Sequence, residues 1–329
     1  MARSKSVTGG RHGGNRWLGF LLRRTGRMLV AMWMIVTVAF LVLRMAGGDP
    51  VRSALGATAA ESVVQARREQ LGLDDPFIVQ YFDYLTGLFR GDLGVSIITG
   101  RSVTELVSHR LPATVELAGI AFLVVLLVAV PVGLGVAIIT QRSGRRGVET
   151  AFTGVTAFIA AIPEYLLGVV LVIVFAITLH AFPVAGRTVA ASYVLPVIAL
   201  SVSAAASISR IARIEALNTL KDDYVRTARS KRLPAWMVYF RHALPNMLTA
   251  TLTIGGTLLG TMMAGSVLVE QVFNWPGLGT AFVGAITTKD YGIVQGLALV
   301  YAAMILVVNL LVDLVLSVLD RRTSLLETS

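Results

Sequence analysis

The sequence predicts an all-α polytopic membrane protein with six transmembrane helices and both termini in the cytoplasm. Three observations carry this expectation. The 329 residues are 55% hydrophobic and only 15% charged, displaced on both counts from ordinary soluble composition. Six stretches are apolar over the length that a helix needs to cross a hydrocarbon layer, about 20 residues for roughly 30 Å. The formal charge of +10 is distributed by loop in the alternating way that orients membrane helices.

The first span is expected at 28–46, behind a basic leader, 1–27, that holds seven Lys and Arg. It is too long for a secretory signal, and no small-residue cleavage site follows before Gly48-Asp49-Pro50. Residues 47–116 form an external insert with Gly and Pro punctuation, helical patches such as Ser62–Leu71, and eight acids from Asp49 to Glu105. The core, 117–320, holds the other five spans. Leu117–Thr140 is uncharged and contains Pro131. Ala151–Leu179 is interrupted by Pro163-Glu164. Val194–Ser209, Leu248–Val269 and Tyr291–Leu319 follow, and 321–329 is a cytoplasmic tail. The inner side then collects twenty Lys and Arg against nine outside, so the surplus charge reports orientation and leaves no basic surface for nucleic acid.

Other chemistries fall away on inspection. No cysteine is present, which removes disulfides and thiolate metal sites. The lysines are Lys5, Lys221, Lys231 and Lys289; none follows a glycine, so no phosphate-binding Walker A loop exists. His12, His109, His180 and His242 are scattered, with no metal-binding pair. No nucleophile–base set is visible either, which sets aside an intramembrane enzyme.

The cytoplasmic loop 210–247 is too long to be a turn. Ala216-Leu217, Leu220, Tyr224-Val225 and Ala228 recur at helical spacing, and a second helical patch, Ala235 to Leu244, follows Pro234 and ends at Pro245. A helix–break–helix held between two spans is suited to receiving force from a soluble partner.

Here the chain resembles a known family, the permease subunits of bacterial ABC importers of the dipeptide/oligopeptide/nickel group. Asp222-Asp223-Tyr224-Val225-Arg226-Thr227-Ala228-Arg229-Ser230-Lys231 resembles that group's E-A-A loop, and Leu244-Pro245 matches the loop's end. The resemblance extends through Gly48-Asp49-Pro50, Leu71-Gly72-Leu73-Asp74-Asp75-Pro76 with Gln80-Tyr81, and Arg90-Gly91-Asp92-Leu93-Gly94. It continues in Arg110-Leu111-Pro112-Ala113-Thr114, Val269-Glu270-Gln271-Val272-Phe273-Asn274-Trp275-Pro276-Gly277-Leu278-Gly279, and Asn309-Leu310-Leu311-Val312-Asp313. One departure is plain: the loop's usual glycine is here Arg232. Glycine at such a break supplies positive φ or a close approach; either Pro234 makes the break instead, or the loop meets its partner differently.

The resemblance implies a type I importer permease fold in the bacterial cytoplasmic membrane, carrying short peptides or a similar solute by alternating access. It implies no cofactor in this chain. ATP and Mg would be bound by two ATP-binding cassette subunits, which work beside a second permease and an extracytoplasmic substrate-binding protein. The coupling residues would be Asp223, Tyr224, Arg226, Thr227, Ala228, Arg229, Lys231, Arg232, Leu244 and Pro245. Tyr224 and Ala228, four apart, would share an inserting face flanked by charge. On composition alone, the basic residues fit membrane lipid headgroups equally well; the order of the motifs favours docking. The alternative from another class is a secondary transporter driven by an ion gradient, which would need paired midplane charges.

Ionisable residues at membrane level are expected to be functional. Glu164 either faces a polar cavity, where it could meet a cationic ligand group, or sits near an interface because Pro163 starts the true third span; the second reading is preferred. Asn309 and Asp313 share a helix face and are expected to tie spans together. Phe273 and Trp275 lie in a Gly- and Pro-rich re-entrant turn that is either an external gate or a rigid turn in an aromatic belt. Gly255, Gly256, Gly260 and Gly265 suggest close helix contact at a permease–permease interface.

Overall fold

In a computed structural model the described residues are 13–45, 49–56, 58–143 and 146–319; Arg3, Lys5 and Arg11 of the basic leader, Arg145 and the tail 321–329 lie outside them. Among the described residues thirteen α-helices follow one another: α1 (Gly13–Met45), α2 (Pro50–Leu55), α3 (Glu61–Gln70), α4 (Phe77–Phe89), α5 (Val103–Ser143), α6 (Arg146–Ala160), α7 (Glu164–Leu171), α8 (Val194–Thr219), α9 (Asp223–Ser230), α10 (Ala235–Met237), α11 (Leu244–Val272), α12 (Leu278–Thr287) and α13 (Tyr291–Leu319). Among the described residues the only β-type pairing is an isolated bridge between Val95 and Ser102.

Five helices are long and apolar enough to cross a membrane. The bent pair Arg146–Ala160 and Glu164–Thr178, which turns by 85°, makes a sixth when taken as one span. α13 covers the stretch 291–319 that the sequence marks as the sixth span. Others run past the expected limits, because amphipathic residues continue a helix beyond the hydrocarbon without breaking its hydrogen bonds. α1 starts inside the leader. α5 starts at Val103, inside what reads as loop, and carries both Pro112 and Pro131; prolines are tolerated where neighbouring helices re-satisfy the freed carbonyls. α8 runs on to Thr219, so Arg210, Arg213 and Ala216 belong to a span and not to a loop.

Bare glycines let the helices touch. A Cβ on Gly133 would stand 2.6 Å from the Ala212 Cβ and 2.7 Å from the Ser209 carbonyl, so α5 and α8 meet at backbone distance. Gly256 and Gly260 of α11 lie against Val312, Ile305 and Asn309 of α13. The expectation that these glycines face a second permease is therefore corrected: their close contacts are within this chain. The main core gathers Leu117, Ala121 and Val125 of α5, Leu195 and Leu200 of α8 and Met262 and Val269 of α11, with Phe273 and Trp275.

The insert is a small helical layer whose motifs are structural. Asp49 caps α2 by accepting the Val51 N–H at 2.9 Å and also receives Arg68 at 3.2 Å. Arg68 reaches Asp74 at 2.8 Å as well, and these carboxylates push its pKa up. Gly72, Gly91 and Gly94 all have positive φ. Asp290, buried just before α13, accepts the Ile97 N–H at 2.9 Å and the Ser96 hydroxyl. Gly292 and Gly296, one turn apart on α13, lie under the backbone carbonyls of Val95 and Leu93. α4 packs on α1, with Phe40 at 5.4 Å from Phe77 and 5.3 Å from Tyr81. Burial pushes the Tyr84 hydroxyl of the same helix up to about 12.

Candidate functional site

On the side opposite the insert, α8 ends and the chain turns into α9 through Asp222, an extended residue that starts the new helix. Val225 and Ala228 point inward and join a core with Val130 and Leu134 of α5, Ala212 and Ala216 of α8, and Val238, Tyr239 and Met247 beyond. Asp223, Arg226, Thr227, Arg229, Lys231 and Arg232 are exposed, and Tyr224 is 37% exposed. This corrects one expectation: Tyr224 and Ala228 do not share an outward face, because the apolar side of an eight-residue helix is spent on anchoring it. Ala228 holds the loop in place and meets nothing outside. Arg229 donates to Gln141 at 3.1 Å, tying α9 to the end of α5. Asp223 and Arg226 pair at 3.4 Å in full exposure, a contact worth little.

Arg232 has φ +55°, so this break is left-handed although its residue is an arginine. The conformation costs a non-glycine residue about 1–2 kcal/mol. Pro234 then opens α10, and a π-helical turn, Val238–Ala243, leads directly into α11. Leu244 and Pro245 accordingly start the fifth span; the second patch does not end there, since proline is welcome in a first helical turn. Trp236 and Phe240, four apart and 62% and 61% exposed, stand on the same surface. The sequence reading missed them, although two aromatics at that spacing after a proline were a visible signal. Beneath this surface Arg213, buried, pairs with Glu149 at 2.9 Å and fastens α8 to α6.

On the insert side, Phe273 and Trp275 are 1% and 0% exposed. Trp275 donates its indole N–H to the Ala113 carbonyl at 3.0 Å and meets Tyr193 edge-on at 4.7 Å. Neither ring is exposed, so neither belongs to an aromatic belt, and the turn is held rigid from inside. The turn is a clamp. Glu270, fully buried, accepts the Gly279 N–H at 2.7 Å; the Leu278 N–H goes to Thr114 at 2.9 Å; and Arg110 donates to Thr280 at 3.1 Å. A carboxylate thus sits at the first turn of α12, where the helix dipole favours it. The motifs Arg110–Thr114 and Val269–Gly279, far apart in sequence, make one unit. Glu270 was legible as a lone acid near the end of an apolar span, yet its role was not. Nearby, Tyr193 and Glu116 face the Arg187 guanidinium and push its pKa up.

The remaining predicted residues are dispersed. Asp313 pairs with Arg24 of α1 and Asn309 lies on Gly260 of α11, so both residues join helices. Glu164 opens α7 directly after Pro163. The break before it lies alongside α8, not at that helix's end. Ser203, nine residues into α8, donates to the Ile162 carbonyl at 2.9 Å, which places the break about 14 Å along the helix from its end. Among the described residues no metal-binding group of three or more His, Cys, Asp or Glu comes together.

The family model described as the inner membrane component of binding-protein-dependent transport systems matches residues 129–325, and the companion model for the N-terminal part matches 17–118. The chain is 35% identical over 311 residues to a probable peptide ABC transporter permease of Sinorhizobium fredii, covering 92% of this chain and 98% of the relative. It is 31% identical over 304 residues to a glutathione transport system permease of Salmonella typhimurium, with the same coverage. A putative peptide transport system permease of Brucella abortus is 32% identical over 310 residues, again covering 92% and 98%. Among solved structures, an inward-facing methionine ABC transporter matches with a TM-score of 0.52 at 16% identity, over 66% of this chain and 97% of that one.

Proposed function

The chain belongs to the family of inner-membrane components of binding-protein-dependent transport systems, and within that family we propose that it carries short peptides or peptide-like solutes. It is a multi-pass permease subunit of an ATP-driven importer. The substrate class is supported by the relatives named for peptide and glutathione transport. Family membership removes the reason to consider an ion-driven transporter.

In this reading, two ATPase subunits that bind ATP and Mg dock against α9 and α10, and a second permease completes the path. An extracytoplasmic binding protein delivers solute to the insert side, and the termini lie on the ATPase side. The observation that carries the coupling assignment is the exposed surface of Tyr224, Trp236 and Phe240 among Arg226, Arg229, Lys231 and Arg232. Exposed aromatics and arginines are what a protein interface enriches, and here they stand on a segment, α9 through the π-helical turn, that is pinned by Val225 and Ala228 and by Val238 and Tyr239, so a push on the surface moves α5, α8 and α11 together. Closure of the ATPases would reorient the spans between two packed states.

The test is a double variant, Trp236→Ala with Phe240→Ala, in the reconstituted importer. Co-purification of the ATPases and solute-stimulated ATP hydrolysis should both fall at least about tenfold, matching the loss of two interface anchors, while membrane insertion is unchanged. Wild-type coupling in that variant would dismiss the docking surface.

A further inference from the structure

The exposed face of α11 differs from the other membrane-level faces. On α5 and α13 the exposed positions are apolar: Leu123 and Leu127 are 60% and 73% exposed, Val307 and Leu311 43% and 54%. On α11 the exposed positions include, beside Ile254 and Leu268, Thr253, Thr257 and Thr261, which stand four residues apart and make a row of hydroxyls up one side of the helix. The next step in that row is Gly265, and the Glu164 carboxylate fills the space where a Cβ at Gly265 would be. α11 ends at Val272, so this point lies about 10 Å inside the helix end, in agreement with the depth given by Ser203.

The threonine hydroxyls donate to carbonyls of their own helix at 2.7–2.9 Å, which makes them tolerable anywhere in a membrane. A carboxylate is not: at that depth it faces a bundle interior or water. Among the described residues no cation or hydrogen-bond donor meets Glu164. The non-helical backbone at 161–163 beside it obeys the same rule, being admitted at membrane depth only where protein or a watery cavity covers it.

We propose that Thr253, Thr257 and Thr261 form the polar wall of the water-filled path in this subunit, and that Glu164 at its end receives the ammonium group of a solute in transit. The inference rests on the permease assignment and adds to it the side of the subunit that lines the path and the charge that the path selects. Gly265 is the position that leaves the carboxylate room.

The chain has no cysteine, so a single introduced thiol is unique within it. In the assembled importer in membrane vesicles, Thr257→Cys and Thr261→Cys should react with membrane-impermeant methanethiosulfonates at least about tenfold faster than Leu123→Cys or Leu127→Cys, which face lipid. At Thr261→Cys the trimethylammonium reagent should outpace the sulfonate by about tenfold after correction for their intrinsic rates, as a charged cleft concentrates its counter-ion. Glu164→Gln should abolish that preference and Glu164→Asp retain it. Labelling of the threonine positions only by a membrane-permeant maleimide, or by nothing, would show the row covered by lipid or by the second permease and would overturn the path. Rapid labelling without charge preference would overturn the role of Glu164. These readouts need no transport. An importer that fails to hydrolyse ATP or take up peptide would count against the function proposed above while leaving the labelling result intact.

Discussion

The Glu270 carboxylate accepts the backbone N–H of Gly279 at 2.7 Å, so the end of one span fastens the first turn of the following helix from inside the protein. Glu270→Ala leaves that N–H and its neighbours without an acceptor, at a cost of about 1–3 kcal/mol. Thermal unfolding of the detergent-solubilised complex should drop accordingly, and Glu270→Gln, which keeps an oxygen, should drop less. Equal stability of all three would refute the clamp.

Arg232 occupies a left-handed conformation that glycine adopts without strain. Arg232→Gly should therefore stabilise the α9–α10 loop by up to about 1 kcal/mol, seen as slower protease cleavage there. Faster cleavage would mean that the side chain makes a contact worth more than the strain.

Ala228 is 5% exposed in the core under the coupling surface. Ala228→Trp overfills it, costing about 1–3 kcal/mol or more, so its transport defect should come with a lowered unfolding temperature. Trp236→Ala, on the surface, should change stability by no more than about 0.5 kcal/mol. A stable, uncoupled Ala228→Trp would restore Ala228 as a docking residue.

Gly292 lies under the Val95 carbonyl, leaving no room for a Cβ. Gly292→Val should lift the 93–103 segment off α13 and expose the insert to proteolysis, with the spans intact. Undiminished resistance would show that the two layers do not depend on this contact.

Burial holds the Tyr84 hydroxyl near 12 against an ordinary 10. Below pH 10 the group is protonated folded or unfolded, and its contribution is constant. Between 10 and 12 only the unfolded chain ionises, so stability falls as pH rises, by about 3 kcal/mol at most. Tyr84→Phe should flatten that alkaline decline; an identical decline in both would place the titration elsewhere.

Much of the fold was legible because a membrane span announces itself by composition. The sixth span needed nothing more than the twenty-two consecutive uncharged residues from Tyr291 to Val312. The ends of the other spans were harder, since Arg210, Arg213 and Val103 continue helices in residues that hydropathy assigns to loops. Within the coupling segment, sequence spacing correctly marked a helix over 223–230 yet could not say which side faced in. An eight-residue helix with two apolar positions can anchor or dock, and the core built by Val130, Ala212 and Tyr239 decided for anchoring.

Composition and motif order by themselves determined the class and the family, because each depends on what a residue is and on its neighbours along the chain. Tertiary structure alone decided that Phe273 and Trp275 are interior, that Asp313 answers Arg24, and that Glu164 stands over Gly265. Each of those joins segments separated in sequence, and a chain fixes such distances only when its helices pack, where the absence of a single β-carbon sets which backbone approaches which.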